Sequence, residues 1–239
     1  MTPPEDAHKE ETVKAICALY EQAPRLAQEG EPTVSTDEMT GVQALERKHA
    51  GLPLAPGKVE RREFEYIRHG TRSFILSRDV VTGMILAPCC GPTRTEADFL
   101  AHLQALVATD PKAIRWHIVC DCLNTHQSES LVRWVAHRSG IDLDLGIKGE
   151  SGILASMASR AAFLSDSTHN VVFHYTPKHS SWMNQIEIWL SILVRKLLKR
   201  GSFISIEDLQ AKVLAFIDYY NQTMAKPFKW TYQGKALMA

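Results

Sequence analysis

Two strand-forming stretches, Thr33-Val34-Ser35-Thr36 and Ile118-Val119-Cys120, run directly into a carboxylate, Asp37 in one case and Asp121 in the other. A third acid, Glu187, sits in the otherwise uncharged helical run Trp182–Leu190. A carboxylate beside apolar sequence is costly unless it is paired, protonated or metal-bound. Taken singly, each acid has an ordinary reading, as a turn or capping residue for the aspartates and a solvated helix residue for Glu187. Taken together, they favour a fold in which neighbouring strand ends and a covering helix meet. Three carboxylates at one point repel, so they select a hard divalent cation, Mg²⁺ or Mn²⁺. Two such ions can activate an attacking oxygen and stabilise a leaving oxygen in phosphodiester cleavage.

Patterning around the acids predicts the remaining elements. Val13, Ile16, Leu19 and Tyr20 recur at helical spacing, and Pro24 is expected to interrupt them, so residues 1–30 read as a short helix and a linker. Thr33–Met39 reads as a short strand and 41–61 as a loop held by Pro53, Pro56 and glycines. Phe64–Arg68, Ser73–Arg78 and Met84–Pro88 read as an antiparallel meander. Thr95 caps a helix with Phe99, Leu103 and Leu106 on one face, and Ser128–Ser139 is a second helix. Ile114–Cys120 and Val171–Tyr175 are strands, Ser151–Leu164 a small-residue helix, and Ser181–Arg200 and Ser205–Tyr220 longer helices. The sum is an α/β chain with one mixed sheet of about five strands flanked by helices. Residues 31–225 form the main domain, with a helical insertion at about 146–170 before the last strand and a tail over 226–239.

Composition limits the alternatives. A hydrophobic fraction of 45% excludes wholesale disorder. No apolar run approaches the roughly 18 residues of a membrane span, and the acidic first thirty residues do not resemble a signal peptide, so the cytoplasm is expected. The five cysteines have neither disulfide-framework nor zinc-knuckle spacing and are expected to be reduced, mostly in the core. With 27 basic and 27 acidic side chains, nucleic-acid binding would need local patches. Candidates are the stripe Arg195, Lys196, Lys199 and Arg200, the cluster Arg61, Arg62, Arg68 and His69, and the pair Lys178 and His179. Each is equally a solvated face. His126 reads as a phosphate neighbour or a core histidine. Lys148 and Arg160 of the insertion could touch DNA, although packing is the default. Trp182 and Trp189 share a helical face and are expected in the core, and Trp230 clasps the tail. Glu150 and Asp166 are rivals to Glu187 as third acid.

Several motifs bear a family likeness. They are Ser35-Thr36-Asp37-Glu38, Tyr66-x-Arg68-His69-Gly70-Thr71, Val119-x-Asp121-x-x-Asn124-Thr125-His126, and Tyr175-Thr176-Pro177-x-His179-x-Ser181-Trp182-x-Asn184-Gln185-x-Glu187-x-Trp189. With Phe216-Ile217-x-x-Tyr220-Asn221 and Lys226-Pro227-Phe228-x-Trp230, they resemble the DDE transposases of bacterial insertion sequences, in the six-thirty group of the mariner superfamily. The resemblance runs from about residue 13 to 231. It implies an RNase H-like fold and a catalytic, metal-binding triad of Asp37, Asp121 and Glu187. It implies Mg²⁺ as cofactor, with Mn²⁺ substituting and two ions bound, and DNA cleavage and strand transfer as the reaction. Its partners would be element-end and target DNA, held by a homodimer. DNA contacts would fall to Arg68, His69, Asn124, His126, Lys178, His179, Asn184, Arg195, Lys196 and Lys199. Three departures stand out: Cys122 where many relatives have Asn, a long stretch between Asp121 and Glu187, and too few residues before the first strand for the helix-turn-helix modules of relatives. The last suggests a catalytic half, or alternatively a non-catalytic remnant that binds DNA or a full-length transposase.

Overall fold

A computed structural model describes residues 9–232 except 50, 53, 54 and 62. Pro53 and Arg62 of the sequence reading, and the last residues of the tail, lie outside the described residues. Eleven longer elements occur in chain order: α1 (Lys9–Gln28), β1 (Thr33–Arg47), β2 (Tyr66–Asp79), β3 (Ile85–Gly91), α2 (Glu96–Ala108), β4 (Trp116–Cys120), α3 (Glu129–Arg138), α4 (Met157–Leu164), β5 (Val171–Tyr175), α5 (Ile186–Leu193) and α6 (Ile206–Thr223).

The strands form one mixed five-stranded sheet in the order β3-β2-β1-β4-β5. β1, β2 and β3 are antiparallel, whereas β4 lies parallel to both β1 and β5. The helices between β3 and β5 supply the crossovers that parallel neighbours need. Period-two alternation gives the sheet two apolar faces. Val34, Ile75, Ile118, Cys120 and Phe173 pack under α2, α3 and α4. Val42, Ala44, Phe74, Leu76 and Ile85 pack under α5 and α6. The caps are those expected: Thr95 and Asp98 form a capping box on α2, and the Ser128 and Ser205 hydroxyls accept backbone N–H groups at the starts of α3 and α6.

The antiparallel half differs from the sequence reading. β1 continues to Arg47 through the expected loop, and the first two expected meander strands are one strand, β2. Two glycines account for the difference. Gly41 (φ +65°) and Gly70 (φ +118°) look like turn residues, but each sits at a register shift where one strand holds an extra residue. Such a bulge lets pairing resume beyond it.

Three helical assignments also change. α1 is continuous through Pro24, because Val13, Ile16, Cys17, Tyr20 and Ala23 all bury one face. It packs on Val119 and Met183, and the Tyr20 hydroxyl donates to the Met183 carbonyl (2.8 Å), so α1 belongs to the core. The expected helix 181–200 is broken. A 3₁₀ turn covers Ser181–Met183, Asn184 is extended, α5 spans only Ile186–Leu193, and a π turn follows over Val194–Leu198. Trp182 and Trp189 therefore do not share a face: Trp189 is fully buried, whereas Trp182 is 49% exposed. Of the cysteines, all free, only Cys17 and Cys120 are buried.

The tail is fixed to this break. Buried Arg78 donates to the Gln185 side chain (2.7 Å) and to the Lys226 carbonyl (2.9 Å). Trp230 lies 4.8 Å from the Tyr20 ring, the clasp that the sequence suggested. The insertion folds as α4 and a short 3₁₀ turn, with Leu154 and Leu164 in the core. Among the described residues no helix is long and apolar enough to cross a membrane.

Candidate active site

Parallel pairing sets Ser35 opposite Val119. Two residues further on, Asp37 continues within β1, opposite Leu76 of β2, whereas Asp121 directly follows the end of β4, and alternation points both to the face covered by α1 and α5. Glu187 lies in the first turn of α5, over that face.

A buried polar clamp holds α5 against β1. The Ser35 hydroxyl donates to the Asn184 side-chain oxygen and accepts the Ile186 N–H (2.8 Å). The Asn184 amide donates to the Thr36 carbonyl (3.0 Å) and to Asp37 Oδ2 (3.3 Å). Asn184, expected as a DNA contact, is 1% exposed and links an acid to a helix start. Its extended backbone is also what ends the preceding turn.

A second buried group holds Asp121. His126 Nδ1 lies 2.7 Å from Asp121 Oδ1, and its Nε2 lies 3.1 Å from Glu38 Oε1. The ring is fully buried and packs on Phe99 at 4.2 Å. His126 is thus buried with both ring nitrogens bonded to protein groups. Burial opposes the charged imidazole, but its bonds to Asp121, Cys120 and Glu38 raise its pKa overall. The same His126 bond lowers Asp121 against the effect of burial.

Asp37 behaves oppositely. Burial, reinforced by the charges of Asp121, Glu38 and Glu187, pushes its carboxyl up to about 7, although the Glu38 N–H bonds Oδ1 at 2.8 Å. An acid destabilised by neighbouring acids fits a hard cation, and the available donors are carboxylate oxygens suited to Mg²⁺ or Mn²⁺. Among the described residues, no three His, Cys, Asp or Glu side chains converge to ligating distance. Asp121 is instead turned to His126. The expected single convergence point is thus a neighbourhood in this conformation.

The other sequence candidates are dispersed. Arg68 is exposed on the β1–β2 hairpin, opposite Leu45, and His69 is paired with Glu46 (2.7 Å). Eight residues beyond Asp37 along β1 put Arg68 about 25 Å from the acids. Lys178 and His179 are exposed on the loop after β5, and Asn124 is exposed on the turn after Asp121. Arg195 lines a groove of about 490 Å³ with Met39, Glu187, Leu190 and Val194. Lys196, Lys199 and Arg200 are exposed, but the π turn breaks the α-helical stripe expected of them. Arg160 is buried in the insertion. Glu150 and Asp166 are exposed on turns of the insertion, and Asp166 bonds Thr168. The charge of Glu187 contributes to the raised pKa of Asp37.

Two participants escaped the sequence reading. Ser35 is a buried serine on the face that carries Asp37. Glu38 projects to the opposite face, where its side chain is 2% exposed against His126. Alternation next to Asp37, with a histidine five residues after Asp121, was the available signal for Glu38.

A family model described as DDE superfamily endonuclease matches residues 32–210, well over half of the chain and including all three acids. Among solved structures, the Mos1 mariner paired end complex with Mn superposes with a TM-score of 0.51 at 13% identity, covering 90% of this chain and 56% of that one. The Mos1 strand transfer complex gives a TM-score of 0.51 at 12% identity, covering 88% and 54%. The chain thus spans about half the length of the structures it matches, and the likeness is one of RNase H-like fold. No curated protein matches the chain significantly.

Proposed function

The chain belongs to the DDE superfamily endonucleases, and from that premise we propose that it is a transposase catalytic domain, one that cuts DNA strands and joins them to target DNA. The observation that carries this reading is that Asp37 and Asp121 each lie two residues beyond a paired position, Ser35 and Val119, of neighbouring parallel strands, with Glu187 in the first turn of α5. Asp37, Asp121 and Glu187 would hold the divalent cations, Mg²⁺ with Mn²⁺ as substitute and two in number. When bound, these ions activate the attacking oxygen and stabilise the leaving one. The protein's own contribution is positioning. His126, backed by Glu38, fixes one oxygen of Asp121, and Asn184, backed by Ser35, fixes Asp37 relative to the start of α5. Exposed Asn124, Lys178, His179, Arg195, Lys196 and Lys199 would meet the phosphate backbone. Arg68 and His69 would touch DNA further away, along the hairpin.

The Ser181-Trp182-x-Asn184-Gln185-x-Glu187 segment supports a finer placement, in the six-thirty group of bacterial insertion sequences. Such an enzyme would work in the cytoplasm on element ends and target DNA as a homodimer. The test is Mn²⁺-dependent nicking of DNA by the wild type and by Asp121→Asn. Complete loss in the variant, with its fold intact by circular dichroism, is expected. Undiminished nicking would sink the reading.

A further inference from the structure

A pocket of about 270 Å³ opens beside the turn that follows Asp121. Asn124 and Thr125 of that turn form one wall, Glu96 at the start of α2 a second, and Lys148 and Met157 of the insertion the third. Buried Arg160 ties the walls together. Its Nε donates to the Gln127 carbonyl on the turn (2.6 Å) and its Nη1 to the Leu154 carbonyl in the insertion (3.0 Å). The loop carrying Lys148 is folded back on itself. Leu154 N–H donates to the Leu145 carbonyl (3.0 Å) and Gly149 N–H to the Leu154 carbonyl (3.2 Å). At Gly146 (φ +82°) the approach is so close that a Cβ would lie 2.2 Å from the Ser151 carbonyl oxygen. Lys148 is therefore presented by a well-braced loop, and a side chain on such a loop loses less freedom on binding.

The polar groups of this pocket have capacity to spare. Among the described residues Lys148 is exposed and enters no ion pair. Asn124 is exposed, and the Thr125 hydroxyl is buried in the wall without a hydrogen-bond partner. A change of χ1 rotamer exchanges the Thr125 methyl and hydroxyl, so the hydroxyl can be presented to an occupant. Asn124 is three residues from Asp121, so the pocket opens on the turn that directly follows that acid.

We propose that this pocket seats one sugar-phosphate unit of the DNA strand, a near neighbour of the phosphodiester that is cut. The proposal rests on the nuclease reading of Asp37, Asp121 and Glu187. The Lys148 ammonium meets the phosphate in a charge-assisted hydrogen bond. The Asn124 amide and Thr125 hydroxyl complete its shell, and Met157 packs against the sugar. Glu96 on the opposite wall repels a second phosphate, which limits the pocket to one unit. On this account the insertion sets the position of the strand relative to the acids.

The experiment uses the full chain and a DNA duplex in which Mn²⁺-dependent nicking has been mapped. Phosphates near the cut are replaced singly by neutral methylphosphonates, and binding is followed by fluorescence anisotropy for wild type, Lys148→Met and Asp121→Asn. In the wild type, one position should weaken binding about tenfold. Lys148→Met should show that loss on unmodified DNA and no further loss at that position, while other positions behave as in the wild type. A Lys148→Met protein that binds like the wild type, or whose loss couples to no single position, overturns the pocket while leaving the acid site intact. Absence of nicking, or nicking that survives Asp121→Asn, overturns the underlying reading and the pocket with it.

Discussion

Asn184 bonds the Asp37 carboxylate at 3.3 Å from a helix start that is itself held by Ser35, two residues before Asp37 on the same strand. One buried amide therefore ties the acid of β1 to the helix that carries Glu187.

Replacing that amide should separate two effects. Asn184→Ala leaves the Ser35 hydroxyl and Thr36 carbonyl short of partners, at a cost of about 1–3 kcal/mol in stability. Nicking should fall about 10- to 100-fold, the usual effect of losing a group that orients a metal-binding carboxylate. Denaturant melts and single-turnover nicking measure the two, and a variant that keeps full activity would reduce Asn184 to a packing residue.

His126 sits between two carboxylates, and its removal should be more damaging to the fold. His126→Ala strands the Glu38 carboxylate in the core, where breaking a buried pair costs about 3–5 kcal/mol. The double variant His126→Leu/Glu38→Leu removes both buried charges and should recover much of that loss while remaining impaired in nicking. Urea denaturation of the single and double variants checks this directly.

Two other histidines predict how stability changes with pH. Burial pushes His102 and His174 down to about 4 from 6.5, so both are neutral in the fold. His102 is held between Ser77 and the Ala87 carbonyl, and His174 against His117. The unfolded chain takes up protons below pH 6.5 and the folded chain does not. The contribution of these two histidines should therefore be flat above about pH 7, fall between 6.5 and 4, and level off below that, with raised Asp37 opposing it over the same window. Each can contribute a loss of about 3 kcal/mol. Chemical denaturation at a series of pH values should show the slope, and His102→Gln and His174→Gln should each flatten it.

The first helix can be tested by a single atom. Tyr20→Phe removes the hydroxyl that donates to the Met183 carbonyl. The expected cost is about 1 kcal/mol, with hydrogen exchange accelerating in α1 and around Met183 before the rest of the sheet. Uniform exchange across the domain would show instead that α1 unfolds only with the whole.

The parallel half of the sheet was legible because its signals are local. The expected bounds of β5 match the strand and those of β4 exceed it by two residues, and Thr95, Ser128 and Ser205 mark helix starts by chemistry that acts within four residues. What was missed depends on distant partners. The helix break at Asn184 follows from bonds to Ser35, Thr36 and Asp37, about 150 positions away in the chain. Gly41 and Gly70 carry the same conformational signature at a bulge as at a turn, so the hairpin was undercounted. Glu38 was overlooked because a buried carboxylate is explained only by the His126 opposite it.

The bonds of Arg78 to Gln185 and Lys226 bear on how the domain can be handled in the laboratory. A chain trimmed before Lys226 would leave a buried guanidinium missing an acceptor beside the residue that precedes α5. Truncation designed merely to remove a tail would thus loosen the mounting of Glu187. For any shortened version made for crystallography or assay, the safe cut lies beyond Trp230.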